Sequence, residues 1–219
     1  MTFVIPFYDE IVGFLGISTI LSSLYMQGQS FVDPTIRAIA IQSLIITALI
    51  VILFFNTGDS NLLYLAIITG IMRGIVFPLF MLYQVRHFKH KLRETGSSQK
   101  TPSLVLAGII VVIIGYAIFR AVLSPYFSNP QVSVCFILLL LGFLLIMTRK
   151  NYLTQMCGYI QEENAILYAG ALIAPSIQIL TEFAVVLDVL GVVIIGAILS
   201  AQRDVSKTFE PSDLEELSG

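Results

Sequence analysis

The sequence of 219 residues is 57% hydrophobic and 12% charged, with a formal net charge of −2. Soluble domains carry about a quarter charged residues, so this composition excludes an ordinary soluble domain and argues against nucleic-acid binding. The apolar content is enough for several membrane spans and leaves few residues for a domain outside the bilayer. We therefore predict an all-α integral membrane protein.

Seven stretches are apolar enough, at about 20 residues each, to cross a lipid bilayer as helices. They cover residues 11–30, 34–55, 61–85, 103–123, 131–148, 152–174 and 176–201. Turn signals separate them at Asp33-Pro34, at residues 57–60 and at residues 128–130. The connections are short, so we expect no folded domain outside the membrane.

Basic residues mark one side of these spans. The connection 86–100 holds five of the twelve Lys and Arg residues, and five more near span ends fall on the same side. Because positive charge concentrates in cytoplasmic loops, we predict an N-terminus outside and a C-terminus inside the cell. Asp9 and Glu10 precede the first span with no basic residue, unlike a signal peptide, so we expect that span to be retained.

Ionisable side chains also occur inside the spans, where each costs at least about 2.5 kcal/mol at the helix centre. Glu163, Asp188 and Arg73 each lie twelve residues from one end of a predicted span, which places all three near the midplane. Glu182 lies one to two turns nearer the outer surface, and Arg120 is close enough to a span end to reach it. Such a row is typical of a proton relay, although a salt bridge that only holds helices together is the alternative.

Neighbouring polar residues extend this row. Glu162 and Glu163 point roughly 100° apart on one helix, so we expect Glu163 to work in the row and Glu162 to face another subunit or water. Pro78 is expected to kink the third span one turn beyond Arg73. Further candidates for a polar path are Asn164, Gln42, Tyr159 and Gln178.

No catalytic or cofactor motif is present, and we predict no metal site. His87 and His90 lack a third ligand nearby, and Cys135 and Cys157 lie in apolar runs, where they act as small packing residues. Catalysis by this chain alone is therefore not expected.

Residues 149–164, with the sequence RKNYLTQMCGYIQEEN, resemble the cytoplasmic turn and second helix of the K subunit of respiratory complex I, and more specifically the hydrogenase-4 component E family. The matching features are Asn151, the pair Gly158-Tyr159 and the pair Glu163-Asn164. Other matches are Glu182 six residues before Asp188, residues 68–73 and 77–79 around Arg73, and residues 42–44. Two positions depart from the pattern: Ile160 occupies the position of the K-subunit glutamate, and Arg73 replaces the usual lysine.

The resemblance implies a K-like three-helix module at residues 128–201 and an acidic cytoplasmic tail at 202–219. A four-helix region at 1–127 precedes the module, and its spans one to three are a candidate second copy. It implies a non-catalytic subunit of an energy-converting [NiFe] hydrogenase or formate hydrogenlyase in a prokaryotic inner membrane. The nickel–iron centre and iron–sulfur clusters would belong to partners, which include antiporter-like subunits and a quinone-site-like membrane subunit. Glu163, Asp188, Glu182, Arg73 and Glu162 would couple redox chemistry to proton or sodium movement.

Two other functions stay open on the sequence alone. One is a stand-alone secondary transporter with a binding site at the midplane, although its usual inverted repeats are not visible here. The other is a structural spacer whose buried charges only direct assembly. Replacing the midplane carboxylates separates a relay from a spacer.

Overall fold

The computed structural model of the protein describes residues 7–87, 101–127 and 129–175, with the isolated positions 191 and 194. Regular structure in these ranges is helical, which confirms the predicted all-α class. The α-helices are α1 (Tyr8–Gln27), α2 (Val32–Thr57), α3 (Ser60–Ile71), α4 (Phe77–His87), α5 (Thr101–Ile118), α6 (Gln131–Thr148) and α7 (Tyr152–Ile173). A first π-helical turn, Met72–Val76, joins α3 to α4, and a second, Phe119–Leu123, extends α5.

These helices match the first six predicted spans, with ends that differ by at most three residues. The third span consists of α3, the first π turn and α4, and the fourth consists of α5 and the second π turn. The seventh predicted span, 176–201, lies outside the described residues apart from positions 191 and 194, and the tail at 202–219 lies outside them entirely.

Five helical segments are long and apolar enough to cross a membrane, beginning at Tyr8, Val32, Ser60, Pro102 and Gln131. Helix α7 has 22 residues but is not one of the five, and its middle carries four consecutive polar residues at 161–164. The described part of the chain thus holds five such segments, where seven spans are predicted for the whole chain. The side on which each terminus lies stays a prediction.

Large apolar side chains cover the outside of the bundle. Phe14, Leu21, Tyr64, Leu79 and Ile113 are all more than half exposed. Soluble monomers rarely present so continuous an apolar surface, whereas lipid or other membrane helices would cover it favourably. The surface therefore agrees with the composition in indicating a membrane protein.

Four helices form a closed ring at the centre of the bundle. Helix α1 packs on α2 and α6, and α7 packs on the same two helices from the opposite corner. The third span lies against α2 and reaches α7 through Arg73 and Gln84, and α5 lies against α1 and α6. The buried polar residues described below lie on helices of this ring and on the third span.

Short polar residues determine where two of these helices begin. The Asp59 side chain accepts a hydrogen bond from the Asn61 backbone N–H at 2.9 Å, and Asn151 accepts one from Leu153 at 3.0 Å. Both satisfy a backbone donor that has no partner within its helix. Gly58 ends α2 with a φ of 74°, the left-handed conformation that glycine adopts without a steric penalty.

Candidate functional site

Buried polar side chains form a layer between two apolar clusters in the described part of the chain. One cluster includes Met26, Ile36, Met81 and Leu153, and the other includes Val12, Leu49, Leu62 and Tyr168. The layer between them contains Thr19, Ser23, Gln42, Ser43, Thr69, Arg73, Gln161, Glu162, Glu163 and Asn164. In a membrane, this layer would be the polar level that the predicted depths of Arg73 and Glu163 indicate.

Arg73 enters the layer from the first π turn. Pro78 lacks a backbone N–H, so Gly74 cannot receive the usual α-helical hydrogen bond from it, and the chain widens by one residue, with Phe77 N–H bonded to the Met72 carbonyl. The predicted irregularity near Pro78 is therefore a π turn. It turns Arg73 into the bundle, where the side chain is 1% exposed.

Gly74 lets this span approach α2 closely. A β-carbon at position 74 would lie 2.7 Å from Leu44 Cδ2, closer than non-bonded carbon atoms approach. Arg73, the preceding residue, reaches side chains of α7. A larger residue at position 74 would require the Leu44 side chain to shift.

Arg73 meets Glu163 of α7 in a buried ion pair. The Nη2 atom of Arg73 lies 3.7 Å from Oε2 of Glu163, and the two side chains are 1% and 12% exposed. Counting residues from the span ends predicts this proximity, because an α-helix rises a fixed distance per residue. The role of the pair as a relay stays a prediction.

Asn164 extends the pair to α2. Arg73 Nη1 donates to Asn164 Oδ1 at 3.4 Å, and Asn164 Nδ2 donates to Ser43 Oγ at 2.8 Å. The Ser43 hydroxyl donates in turn to the Ile39 carbonyl at 2.9 Å. A continuous hydrogen-bonded array therefore joins the third span, α7 and α2 in the interior.

Glu162 does not lie where we expected it. Its side chain is 8% exposed and packs against Gly142 of α6 in the same chain, instead of facing water or another subunit. Glycines 142 and 158 face each other, and a β-carbon on Gly142 would lie 3.0 Å from the Gly158 carbonyl oxygen. The close contact of α6 with α7 encloses Glu162, whose Oε1 atom finds no hydrogen-bond partner among the described residues.

Sequence reasoning missed a polar stripe on α1. Thr19, Ser23 and Gln27 follow each other at intervals of four residues, and all three are fully buried. Gln42 of α2 donates to the Thr19 carbonyl at 3.1 Å and to Ser23 Oγ at 2.7 Å. These residues are neutral, and a search for ionisable groups passes over them, but their helical spacing on one face would have indicated them.

The remaining predicted residues are partly described. Tyr159 is half-buried and packs against the cluster that contains Met26, and Arg120 is exposed in the second π turn. Asp188, Glu182 and Gln178 lie outside the described residues, so their placement stays a prediction. Within the described ranges, no three His, Cys, Asp or Glu side chains are grouped to hold a metal ion, and both cysteines are free and buried.

Comparison with known proteins identifies distant relatives over most of the chain. The chain is 22% identical to the uncharacterized protein Rv0085 of Mycobacterium tuberculosis over 212 residues, which cover 96% of each sequence. It is 26% identical to hydrogenase-4 component E of Escherichia coli K12 over 181 residues, 82% of each sequence, and the same figures hold for the Shigella flexneri protein. No protein-family profile and no solved structure matches. The chain is therefore a distant relative of hydrogenase-4 component E.

Proposed function

We propose that this protein is a non-catalytic membrane subunit of an energy-converting hydrogenase complex of the formate hydrogenlyase type. In this role it couples redox chemistry in a peripheral arm to proton or sodium translocation in neighbouring antiporter-like subunits. The observation that carries the proposal is the buried array of Arg73, Glu163, Asn164 and Ser43. A relative over 82% of the chain is named for a hydrogenase component, which supports the kind of complex.

The array has the properties that a charge-coupling site requires. Arg73 keeps its positive charge at every accessible pH, so any change of protonation within the ion pair takes place on Glu163. Asn164 connects the guanidinium to Ser43, so a change of charge on Glu163 acts on three helices at once. Intramembrane charges of this kind are costly and usually mark an ion pathway.

The second carboxylate and the last span extend the proposed path. Glu162 is held at the contact of α6 with α7, next to Glu163 in sequence. We place Asp188, Glu182 and Gln178 of the predicted seventh span beside this layer, in the arrangement that the resemblance to the complex I K subunit implies. The nickel–iron centre and the iron–sulfur clusters are assigned to partner subunits, and no step in this chain runs through them.

Neutral substitutions of the carboxylates test the coupling role. Glu163→Gln and Asp188→Asn keep the side-chain shape and remove the titratable group. We expect both variants to assemble and to retain redox turnover, while ion uptake per electron falls in membrane vesicles. Uptake is followed with a pH-sensitive dye and, separately, with a sodium-sensitive dye.

Glu10→Gln is the matched control, since Glu10 is an exposed glutamate at the start of α1. We expect this variant to translocate ions at the normal ratio. Undiminished translocation in both Glu163→Gln and Asp188→Asn would leave the buried charges with a structural role only.

The complex itself is tested by purification of the tagged protein from its native membrane in mild detergent. Mass spectrometry is expected to identify hydrogenase subunits and antiporter-like subunits that come with it. A folded chain that purifies alone, and as a monomer or homodimer, contradicts the subunit proposal and favours a stand-alone transporter.

A further inference from the structure

Three buried glutamines share a feature that helix packing does not explain. Gln27, Gln42 and Gln161 are fully buried, and each amide nitrogen donates to a backbone carbonyl of a neighbouring helix. Each amide oxygen, in contrast, finds no hydrogen-bond partner among the described residues. A residue that serves only to join two helices would use both ends of its amide group.

A buried acceptor without a partner opposes the stability that the donated bond provides. Native proteins satisfy such atoms with a protein group or with an ordered water that has two to four polar partners. The three oxygens recur on helices of the same ring, α1, α2 and α7. Their recurrence there indicates one shared feature of the interior.

The three glutamines follow each other at neighbouring levels of the four-helix ring, which defines a line along its interior. Gln27 donates to the Leu141 carbonyl at 3.0 Å and Gln161 donates to the Leu138 carbonyl at 2.9 Å, so both contact α6 within one turn. On α1, Gln27 lies four residues beyond Ser23, about 6 Å along the helix axis. Ser23 accepts from Gln42 at 2.7 Å.

Both ends of this line are polar. At one end, Arg149 is 3% exposed and donates to the Gln27 carbonyl at 2.6 Å, at the last turn of α1. At the other end, Gln42 is followed in sequence by Ser43, whose Oγ atom accepts a hydrogen bond from Asn164 Nδ2. The Oδ1 atom of Asn164 accepts in turn from Arg73. The line thus runs from the Arg149 end of the bundle to the Arg73–Glu163 pair.

We propose that a file of ordered water molecules fills the interior of the helical ring beside the amide oxygens of Gln27, Gln42 and Gln161. It gives the Arg73–Glu163 pair a hydrated connection to the Arg149 end of the bundle. The presence of this water does not depend on the hydrogenase role, whereas its use as a proton route rests on the function proposed above.

Gln84 of α4 provides a contrast within the same chain. It is 1% exposed, like the three glutamines of the line, but its Oε1 atom accepts a hydrogen bond from the Tyr152 hydroxyl at 2.6 Å. Its oxygen is satisfied by protein and calls for no water. Gln84→Leu is therefore the matched control for Gln27→Leu and Gln42→Leu.

Radiolytic hydroxyl-radical labelling of the purified full-length protein, in the complex it retains, tests the water file. A short X-ray pulse generates radicals from interior as well as bulk water, and mass spectrometry locates the modified side chains. We expect Leu138 and Leu141 to be labelled several-fold faster than Leu49 and Leu62, although all four are at most 1% exposed. Gln27→Leu and Gln42→Leu should remove most of this difference, and Gln84→Leu should preserve it.

Equal, slow labelling of all four leucines in the native protein overturns the proposal, and this measurement needs no variant to fold. Fast labelling of Leu138 and Leu141 that persists in Gln27→Leu and Gln42→Leu also overturns it. Ion uptake is measured on the same preparations. Normal labelling without redox-linked uptake would contradict the coupling function and leave the water file intact.

Discussion

Two helical hairpins, α1–α2 and α6–α7, are each joined by a hydrogen bond from a glutamine of the second helix to a backbone carbonyl of the first. The residues beside this bond differ between the hairpins. Gln42 donates to the Thr19 carbonyl and Gln161 donates to the Leu138 carbonyl, and both bonds span 23 residues of sequence. We propose that the hairpins derive from a duplicated unit, as the predicted repeat in spans one to three requires. Helix α1 packs on α6 and α2 packs on α7, so the corresponding helices of the two hairpins are neighbours.

The two hairpins differ in how their helices are held together beside the glutamine bond. In α1–α2, Ser23 and Gln42 hold the helices together through side-chain hydrogen bonds. In α6–α7, the facing glycines 142 and 158 allow direct backbone approach, and no hydroxyl is needed. Beside this bond the second hairpin thus carries the carboxylates of Glu162 and Glu163, whereas the first carries neutral side chains.

Loss of Arg73 should disturb the second hairpin most strongly. Arg73→Leu removes the cationic side of a buried ion pair with Glu163, a kind of change that typically costs about 3–5 kcal/mol. We expect a large fall in the unfolding free energy in detergent, measured by chemical denaturation. The double variant Arg73→Leu, Glu163→Leu should recover much of this loss, because no uncompensated charge remains.

Arg120→Leu serves as the control, since Arg120 is exposed in the second π turn. Its unfolding free energy should lie close to that of the native protein. Equal losses in Arg73→Leu and Arg120→Leu would show that the ion pair contributes nothing to the fold.

Substitution of Gly142 by alanine tests how closely α6 and α7 are packed. The β-carbon would lie 2.6 Å from Glu162 Cγ and 3.0 Å from the Gly158 carbonyl oxygen, and the second contact involves backbone that cannot turn away. Overpacking of this kind costs about 1–3 kcal/mol, so Gly142→Ala should lower the thermal midpoint. Gly13→Ala is the matched change in α1, where the added carbon meets nothing within 4 Å.

We expect Gly13→Ala to be neutral or slightly stabilising, since alanine is the better helix former. A Gly142→Ala variant as stable as Gly13→Ala would mean that α6 and α7 separate easily. The contrast between the two hairpins would then lose its physical basis.

The sequence predicts the helices and the ion pair well, for reasons specific to helices. The rise per residue is fixed, so depths counted from the span ends bring Arg73 level with Glu163. Pro78 indicates where the third span is irregular, but the type of irregularity depends on packing against α2. The orientation of Glu162 is not predictable from periodicity, because it depends on which neighbour fills that side of α7, here the glycine of α6.

The smallest expected effect concerns the two equivalent glutamines. Interhelical hydrogen bonds in membrane proteins contribute about 0.6 kcal/mol on average, so Gln42→Leu and Gln161→Leu should each cause a small loss of unfolding free energy. Gln42 has the additional bond to Ser23, and we expect its loss to be the larger of the two. Thr35→Val is the control, because among the described residues its buried hydroxyl bonds to the Phe31 carbonyl, one turn earlier, and not to another helix. Since both glutamines border the proposed water file, the combined variant Gln42→Leu, Ser23→Ala should couple to Gln161→Leu in a double-mutant cycle, although the two bonds lie in separate hairpins. Strict additivity would instead mean that each hairpin, and not the shared interior, is the structural unit that the glutamines stabilise.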